Sequence, residues 1–209
     1  LLNNLKYIFI HKNLIKVFNP PKKSFVCLDD GVDIWDFKRK KIVKKIKKTC
    51  VYVGSFHSGK GIEIILKIAK KLNNISFHLY GDKKFLQIHQ KLENIKVFDF
   101  ISYNKIPKVL SNYEIALMPY QKKIKGRSSI RLEKYMSPLK MFDYLAAKMI
   151  IIASDLKVYK HILQNDYNCV LIKINDDTLW SKNIQKLFKY SKKKNKLTKN
   201  AYITAKKYT

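Results

Sequence analysis

The chain has 209 residues, 44 Lys and Arg against 15 Asp and Glu, a formal net charge of +29, and is 46% hydrophobic and 12% aromatic. Its 26 Ile and 24 Phe and Tyr supply more burial than a disordered chain carries, and the length suffices for one full core with part of another. A membrane-spanning helix is excluded, because the longest apolar run, Met149 to Ala153, falls far short of the ~18 residues a span needs.

Residues 1–48 hold two short β-rich runs, Tyr7–Ile10 and Ser24–Leu28, on either side of Pro20-Pro21. The turn Asp30-Gly31 and a Lys-rich helix reaching Lys48 are expected next. Two strands and a helix cannot enclose a core, so this stretch reads as the end of a preceding domain and a connector. The chain starts at Leu1 rather than Met and is expected to be part of a longer reading frame. No secretory leader is read in it.

From Cys50 onward, short apolar runs alternate with amphipathic segments, the pattern of a parallel sheet covered by helices on both faces. The predicted strands are Cys50–Gly54, Ile75–Tyr80, Ile95–Phe98, Ile115–Met118, Ile150–Ala153 and Cys169–Ile172. Ile62, Ile65, Leu66, Ala69 and Leu72 fall on one predicted helical face, and Ile184, Leu187 and Phe188 on another. Residues 49–190 are therefore expected to form a doubly wound, Rossmann-like α/β domain. Residues 191–209 should be a helical tail with Ala201, Ala205 and Tyr208 on one face.

The charge points to nucleic acid less than its size implies. Only Arg39, Arg127 and Arg131 are Arg, the residue favoured for bidentate contacts to bases and phosphates. Lys, Ile and Asn fill 82 of 209 positions, and their shared A/T-rich codons account for much of the excess. Nucleic acid is accordingly not the expected partner, while loose attraction of a basic surface to anionic lipid fits the charge. Cys27, Cys50 and Cys169 are odd in number, widely spaced and set in apolar runs, and are expected as buried free thiols of a reducing compartment. The five His are equally dispersed, and no metal site is expected.

Ligands of open α/β sheets lie beyond the C-terminal ends of the strands, so the loops there carry the chemistry. The first, Gly54-Ser55-Phe56-His57-Ser58-Gly59-Lys60-Gly61, nearly spells a nucleotide phosphate-binding loop, with Gly61 where a magnesium-holding Ser or Thr would stand. Losing that hydroxyl argues against triphosphate hydrolysis. What remains is glycines that let backbone approach an anion and Lys60 at the positive end of a helix, or else a plain strand-to-helix turn with an exposed lysine. The second loop runs from Ser137-Pro138-Leu139-Lys140 through Asp143 to Ala147. Ser137 suits an N-cap and Pro138 a first helical position, with Leu139, Phe142, Leu145 and Ala146 expected to pack inward. Asp143 reads either as a weak pair with Lys140, worth ~0.2–0.5 kcal/mol, or as an acceptor for ribose hydroxyls.

In this order, the two loops resemble the donor-binding half of a family 4 (group 1) glycosyltransferase of the GT-B fold. The resemblance continues through Asp30-Gly31-Val32-Asp33 with Phe37, Leu79-Tyr80-Gly81-Asp82, Ile106-Pro107 with Leu110-Ser111, and Ala116 to Tyr120. It closes with Tyr135 to Ala147, Ile151 to Asp155 and Lys207-Tyr208-Thr209. It implies transfer of a sugar from a nucleotide-diphosphate donor with retention of configuration, without metal or other cofactor, to an acceptor glycan or lipid. Cytoplasmic work in cell-envelope polysaccharide synthesis is implied with it, peripheral to the inner face of the membrane.

By the same resemblance, Gly54, Ser55 and Lys60 meet the donor diphosphate, and Ser137 with the backbone of Pro138, Leu139 and Lys140 caps it. Asp143 holds the ribose hydroxyls, the backbone near Ile101 meets the base, and Tyr135 faces the sugar. The sequence departs from the family at Ser55, where Arg often stands, leaving a phosphate cation to Arg127 or Arg131. It departs also at Tyr135 and Asp143, which take the places of two Glu eight positions apart, and at Asp99, where Gly is usual. A non-catalytic remnant that binds nucleotide sugars, a basic nucleic-acid-binding module and a nucleoside triphosphatase are the rival readings.

Overall fold

The computed structural model describes residues 6–38, 45–82, 92–124 and 132–209. Six strands, β3 (Thr49–Val53), β4 (Ser76–Tyr80), β5 (Ile95–Phe98), β6 (Ile115–Met118), β7 (Ile150–Ser154) and β8 (Val170–Ile172), form one sheet. They lie in the order β5-β4-β3-β6-β7-β8 with every pair parallel. Among the described residues, the α-helices between them are α3 (Ile62–Lys71), α4 (Ile106–Leu110) and α5 (Leu139–Ala146), and α6 (Asp177–Lys189) and α7 (Ser191–Ala205) follow β8. The expected Rossmann-like arrangement is the one observed.

Strands covered on both faces can be apolar throughout, and every residue of β3, β6 and β7 is buried. Alternation along each strand divides the core into two layers. Cys50, Tyr52, Ile115, Leu117, Ile150 and Ile152 pack with Ile62, Ile65, Ile68 and Ala69 of α3 and with Trp180 and Ile184 of α6. Val51, Val53, Ala116, Met118, Ile151 and Ala153 pack with Phe142, Tyr144 and Leu145 of α5 and with Ala201 and Ala205 of α7. Leu66, expected on the inner face of α3, is only partly buried, while Ile64 and Ile68 lie inside. α6 starts where the Asp176 side chain accepts from the Leu179 amide at 2.8 Å and ends among Lys186 and Lys189, which suits the helix dipole.

Strand order reverses between β3 and β6, the switch point beside which ligands of open α/β sheets bind.

Before the sheet, β1 (Tyr7–Phe9) and β2 (Phe25–Cys27) pair in parallel through α1 (Lys12–Phe18). α1 has no sequence signal because it buries none of its residues, so no apolar stripe marks it. Cys27 is exposed, contrary to expectation, since among the described residues β2 pairs with β1 alone. Of the helix expected to reach Lys48, the described residues hold α2 (Ile34–Lys38); residues 39–44 lie outside them, and residues 45–48 are not helical. Ile46 instead donates its amide to the Asn112 carbonyl at 2.8 Å, and Lys48 is left-handed at φ 46° before β3 begins. The C-terminal tail folds back against α5 with Ala201 and Ala205 buried. Tyr208, beyond the helix, packs its ring at a tilt against Phe142, the ring centres 5.3 Å apart, and accepts at its carbonyl from the Val32 amide at 2.9 Å.

Candidate functional site

At the switch point the two loops are tied together. Gln121, beyond β6, donates its amide to the Gly59 carbonyl at 2.9 Å. Gly61 is left-handed at φ 86° and its Cα lies against the Pro119 carbonyl, where any Cβ would collide. This contact holds Lys60 beside the segment that follows β6, with its ammonium 5.0 Å from the centre of the Tyr120 ring. Burial lowers the Lys60 pKa.

α5 approaches from the other side. Ser137 is not its N-cap: the Ser137 hydroxyl accepts from the Asp30 amide at 3.1 Å, spending the side chain on the connector. Pro138 takes the cap position in an extended conformation and α5 begins at Leu139. Proline has no N–H, so of Pro138, Leu139 and Lys140 only the last two offer amides, and no side chain caps them. Leu139 is 55% exposed rather than packed inward, which leaves this end of the helix open.

The Lys140 side chain folds back over the end of β3. Its ammonium lies against Gly54, 3.8 Å from the centre of the Tyr52 ring and 5.4 Å from that of Tyr120. It is buried and has no hydrogen-bond partner among the described residues. Burial, with Lys60 beside it, holds its pKa well below the ordinary range, while Asp143 pulls the other way.

Asp143, one turn further along α5, is 4% exposed. Its Oδ1 accepts a long 3.5 Å bond from the Tyr103 hydroxyl. Burial pushes its pKa up to about 7, against the lowering effect of the Tyr103 bond and Lys140. A direct pair with Lys140 is not formed, since Lys140 has no partner. Tyr144, the next residue, accepts the Val53 amide at 2.9 Å and pins α5 to the end of β3.

The remaining predicted residues spread around this centre. Ser55 is half-buried, its carbonyl accepting from the Tyr52 hydroxyl at 2.8 Å. Ile101 is half-buried against the core just before Tyr103. Tyr135 is half-buried next to Lys134, whose carbonyl accepts from Asn13 of α1 at 2.8 Å. Arg127 and Arg131 lie outside the described residues. Sequence reasoning missed Tyr52, Tyr103, Tyr120 and Tyr144; the only signal was an aromatic at or near a strand end or next to a site residue. Among the described residues, no three His, Cys, Asp or Glu side chains gather as a metal site.

A parallel sheet with two cations, an uncapped helix start and a buried carboxyl at its switch point can hold an anionic group linked to a hydroxylated one. The sequence matches the group 1 glycosyl transferases over residues 33–204, and the chain belongs to that family. Its fold is that of solved glycosyltransferases. A glycosyltransferase from Rickettsia africae superposes with a TM-score of 0.75 at 13% identity, over 99% of this chain and 60% of its own. Staphylococcus aureus TarM, in complex with fondaparinux, α-GlcNAc-glycerol and UDP, superposes with a TM-score of 0.74 at 17% identity, over 98% of this chain and 41% of its own. The C-terminal domain of the group 1 protein LpcC from Francisella tularensis matches with a TM-score of 0.65 at 19% identity, over 85% of this chain and 97% of its own. The chain thus spans less than two thirds of the first two proteins and nearly the whole of the third, a C-terminal domain. No curated protein sequence matches it.

Proposed function

We propose that this chain is the donor-binding half of a glycosyltransferase that moves a sugar from a nucleotide-diphosphate donor to a glycan or lipid acceptor, with retention and without a metal. The observation that carries the reading is the convergence of Lys60, the uncapped start of α5 and the buried Asp143 around Lys140 at the switch point. Lys60 and the amides of Leu139 and Lys140 neutralise charge growing on the leaving diphosphate, the role that preorganised donors play best in a dry site. Asp143 accepts from the ribose hydroxyls. The backbone near Ile101 meets the base, and Tyr135 faces the sugar. UDP in the TarM complex supports a nucleoside diphosphate as the ligand class. No helix here is long and apolar enough to cross a membrane; the net charge of +29 favours cytoplasmic work at an anionic membrane surface, in cell-envelope polysaccharide synthesis.

The test is calorimetric titration with ADP, GDP and UDP at low and high salt, alongside duplex DNA and RNA. Binding of at least one diphosphate, with only modest loss at high salt, supports the reading. Indifference to all three, with steeply salt-dependent retention of nucleic acid, overturns it in favour of a nucleic-acid-binding module.

A further inference from the structure

A cavity of about 500 Å³ opens where the N-terminal unit meets the sheet domain. Three segments wall it: the end of β1 running into α1, the turn before α5 and the loop after β7. β1 and β7 both lead into it from their C-terminal ends, the side on which parallel sheets bind ligands. Its floor is fixed. His11 is 5% exposed, its Nδ1 accepts from the Asn13 amide at 3.1 Å, and its ring meets that of His161 edge-on with centres 6.4 Å apart. Nε2 of His161 donates to both carboxylate oxygens of Asp29, at 2.9 and 3.1 Å, and the Asn13 side chain donates to the Lys134 carbonyl at 2.8 Å. Its rim is positive. Lys12, Lys134 and Lys157 line the cavity and none of them is in an ion pair among the described residues, whereas the neighbouring Lys160 pairs with Asp155 at 2.6 Å. The nearby carboxylates are engaged elsewhere: Asp29 holds His161, and Glu133, which also lines the cavity, accepts from the Ile124 amide at 3.3 Å.

Three ammonium groups around one walled space set the chemistry of what enters it. Clustered like charges favour an anion, and donors on three separate segments need acceptor oxygens that point in more than one direction. A phosphoryl group, with three terminal oxygens and close to two charges, meets both needs; a carboxylate, planar with two oxygens and one charge, meets them less well. The volume falls in the range of small-molecule sites, roughly 300–1,000 Å³, which leaves room for the group that bears the phosphate. Lys134 immediately precedes Tyr135, the residue that the donor reading sets against the sugar, so the cavity adjoins the place of transfer. We propose that this cavity is an acceptor subsite and that it selects acceptors carrying a phosphate near the hydroxyl that receives the sugar, held by Lys12, Lys134 and Lys157. The inference rests on the donor-binding reading and narrows its glycan or lipid acceptor to a phosphorylated one. A phosphorylated glycan and a phospholipid headgroup offer the same group.

The experiment is NMR of the imidazole rings, with the His11 and His161 signals assigned from His11→Gln and His161→Gln. The chain is titrated with inorganic phosphate at constant ionic strength, and with acetate for comparison, before and after saturation with whichever of ADP, GDP and UDP binds tightest in a calorimeter. Saturable shifts of both rings are expected with phosphate, weaker with acetate, and still present with the diphosphate bound. The double variant Lys134→Met, Lys157→Met is expected to weaken the phosphate response at least about tenfold and to keep diphosphate affinity within about threefold of the parent. Both side chains are exposed, so an unchanged thermal midpoint is expected and shows that the variant is folded. Once that response is lost, vesicles of phosphatidylglycerol set against phosphatidylcholine name the source: retention that the double variant also loses assigns the phosphate to a lipid headgroup, and retention that it keeps assigns it to a glycan. The inference is overturned by phosphate shifts absent from His11 and His161, by an equal response to acetate, by displacement of phosphate by the diphosphate, or by a parent-like response in the double variant. If the parent binds a diphosphate while any of these holds, the donor reading stands and this inference alone falls. If it binds none of the three diphosphates, the donor reading falls and the acceptor role with it.

Discussion

The ammonium of Lys140 occupies the space that a side chain on Gly54 would need: a Cβ there meets Lys140 Nζ, with Cε at 2.9 Å. Gly54 is also held at φ 140°, a conformation open to glycine and poor for every L residue. Gly54→Ala is therefore expected to destabilise the fold by about 1–3 kcal/mol and to expel the lysine from the Tyr52 ring. Urea unfolding reads the first effect. An unchanged midpoint contradicts it.

Tyr144 offers a cleaner break in the same neighbourhood. Tyr144→Phe removes the acceptor of the buried Val53 amide and little else. A loss of about 1–3 kcal/mol, the cost of an unsatisfied buried donor, is expected in urea unfolding. Neutrality would mean that the amide finds another acceptor.

Asp143 makes stability depend on pH in a direction opposite to that of most carboxylates. Its folded pKa is raised to about 7 from 3.8, so the folded state binds the proton more tightly than the unfolded. The contribution is present in full below the unfolded value and is lost as pH rises through about 7. The ligand-free protein should lose up to about 1.4 kcal/mol per pH unit from this group across that window. Asp143→Asn should flatten the pH 5–7 stretch of the curve. An identical slope in the two proteins contradicts the burial argument.

The same group predicts how the ribose is read. Hydroxyls donating to Asp143 favour its carboxylate, so affinity for a nucleoside diphosphate should rise as pH climbs toward about 7 and level off beyond it. A 2′,3′-dideoxy diphosphate should bind the parent less well and show little of that rise. Asp143→Ala should not distinguish the two ligands. Equal ribose discrimination in parent and variant would assign the contact to another residue.

The sheet was legible because β3, β6 and β7 are buried on both faces, and such strands must be apolar along their whole length. The small helix α1 was not, since it buries no residue and leaves no periodic stripe. Around the site, the loop glycines and Lys60 stood out in the sequence as backbone and charge features. Ser137 misled: its composition suits a cap, yet a tertiary bond to Asp30 takes the hydroxyl. Leu139 misled in the same way, because its exposure follows from the direction in which α5 enters, which spacing alone does not report. The rings beside the two lysines are those of Tyr52, in β3, and Tyr120, just beyond β6, and only the strand order brings them together.

The central claim, that a nucleoside diphosphate lies between Lys60 and the start of α5, is tested most directly by titrating the parent and Lys60→Ala with the same nucleoside diphosphate in a calorimeter. Removing a charged hydrogen bond worth ~1.5–3 kcal/mol should weaken binding by roughly 10- to 150-fold, while affinity for the bare nucleoside stays unchanged. Equal diphosphate affinity in the two proteins would make Lys60 a surface lysine and contradict the account.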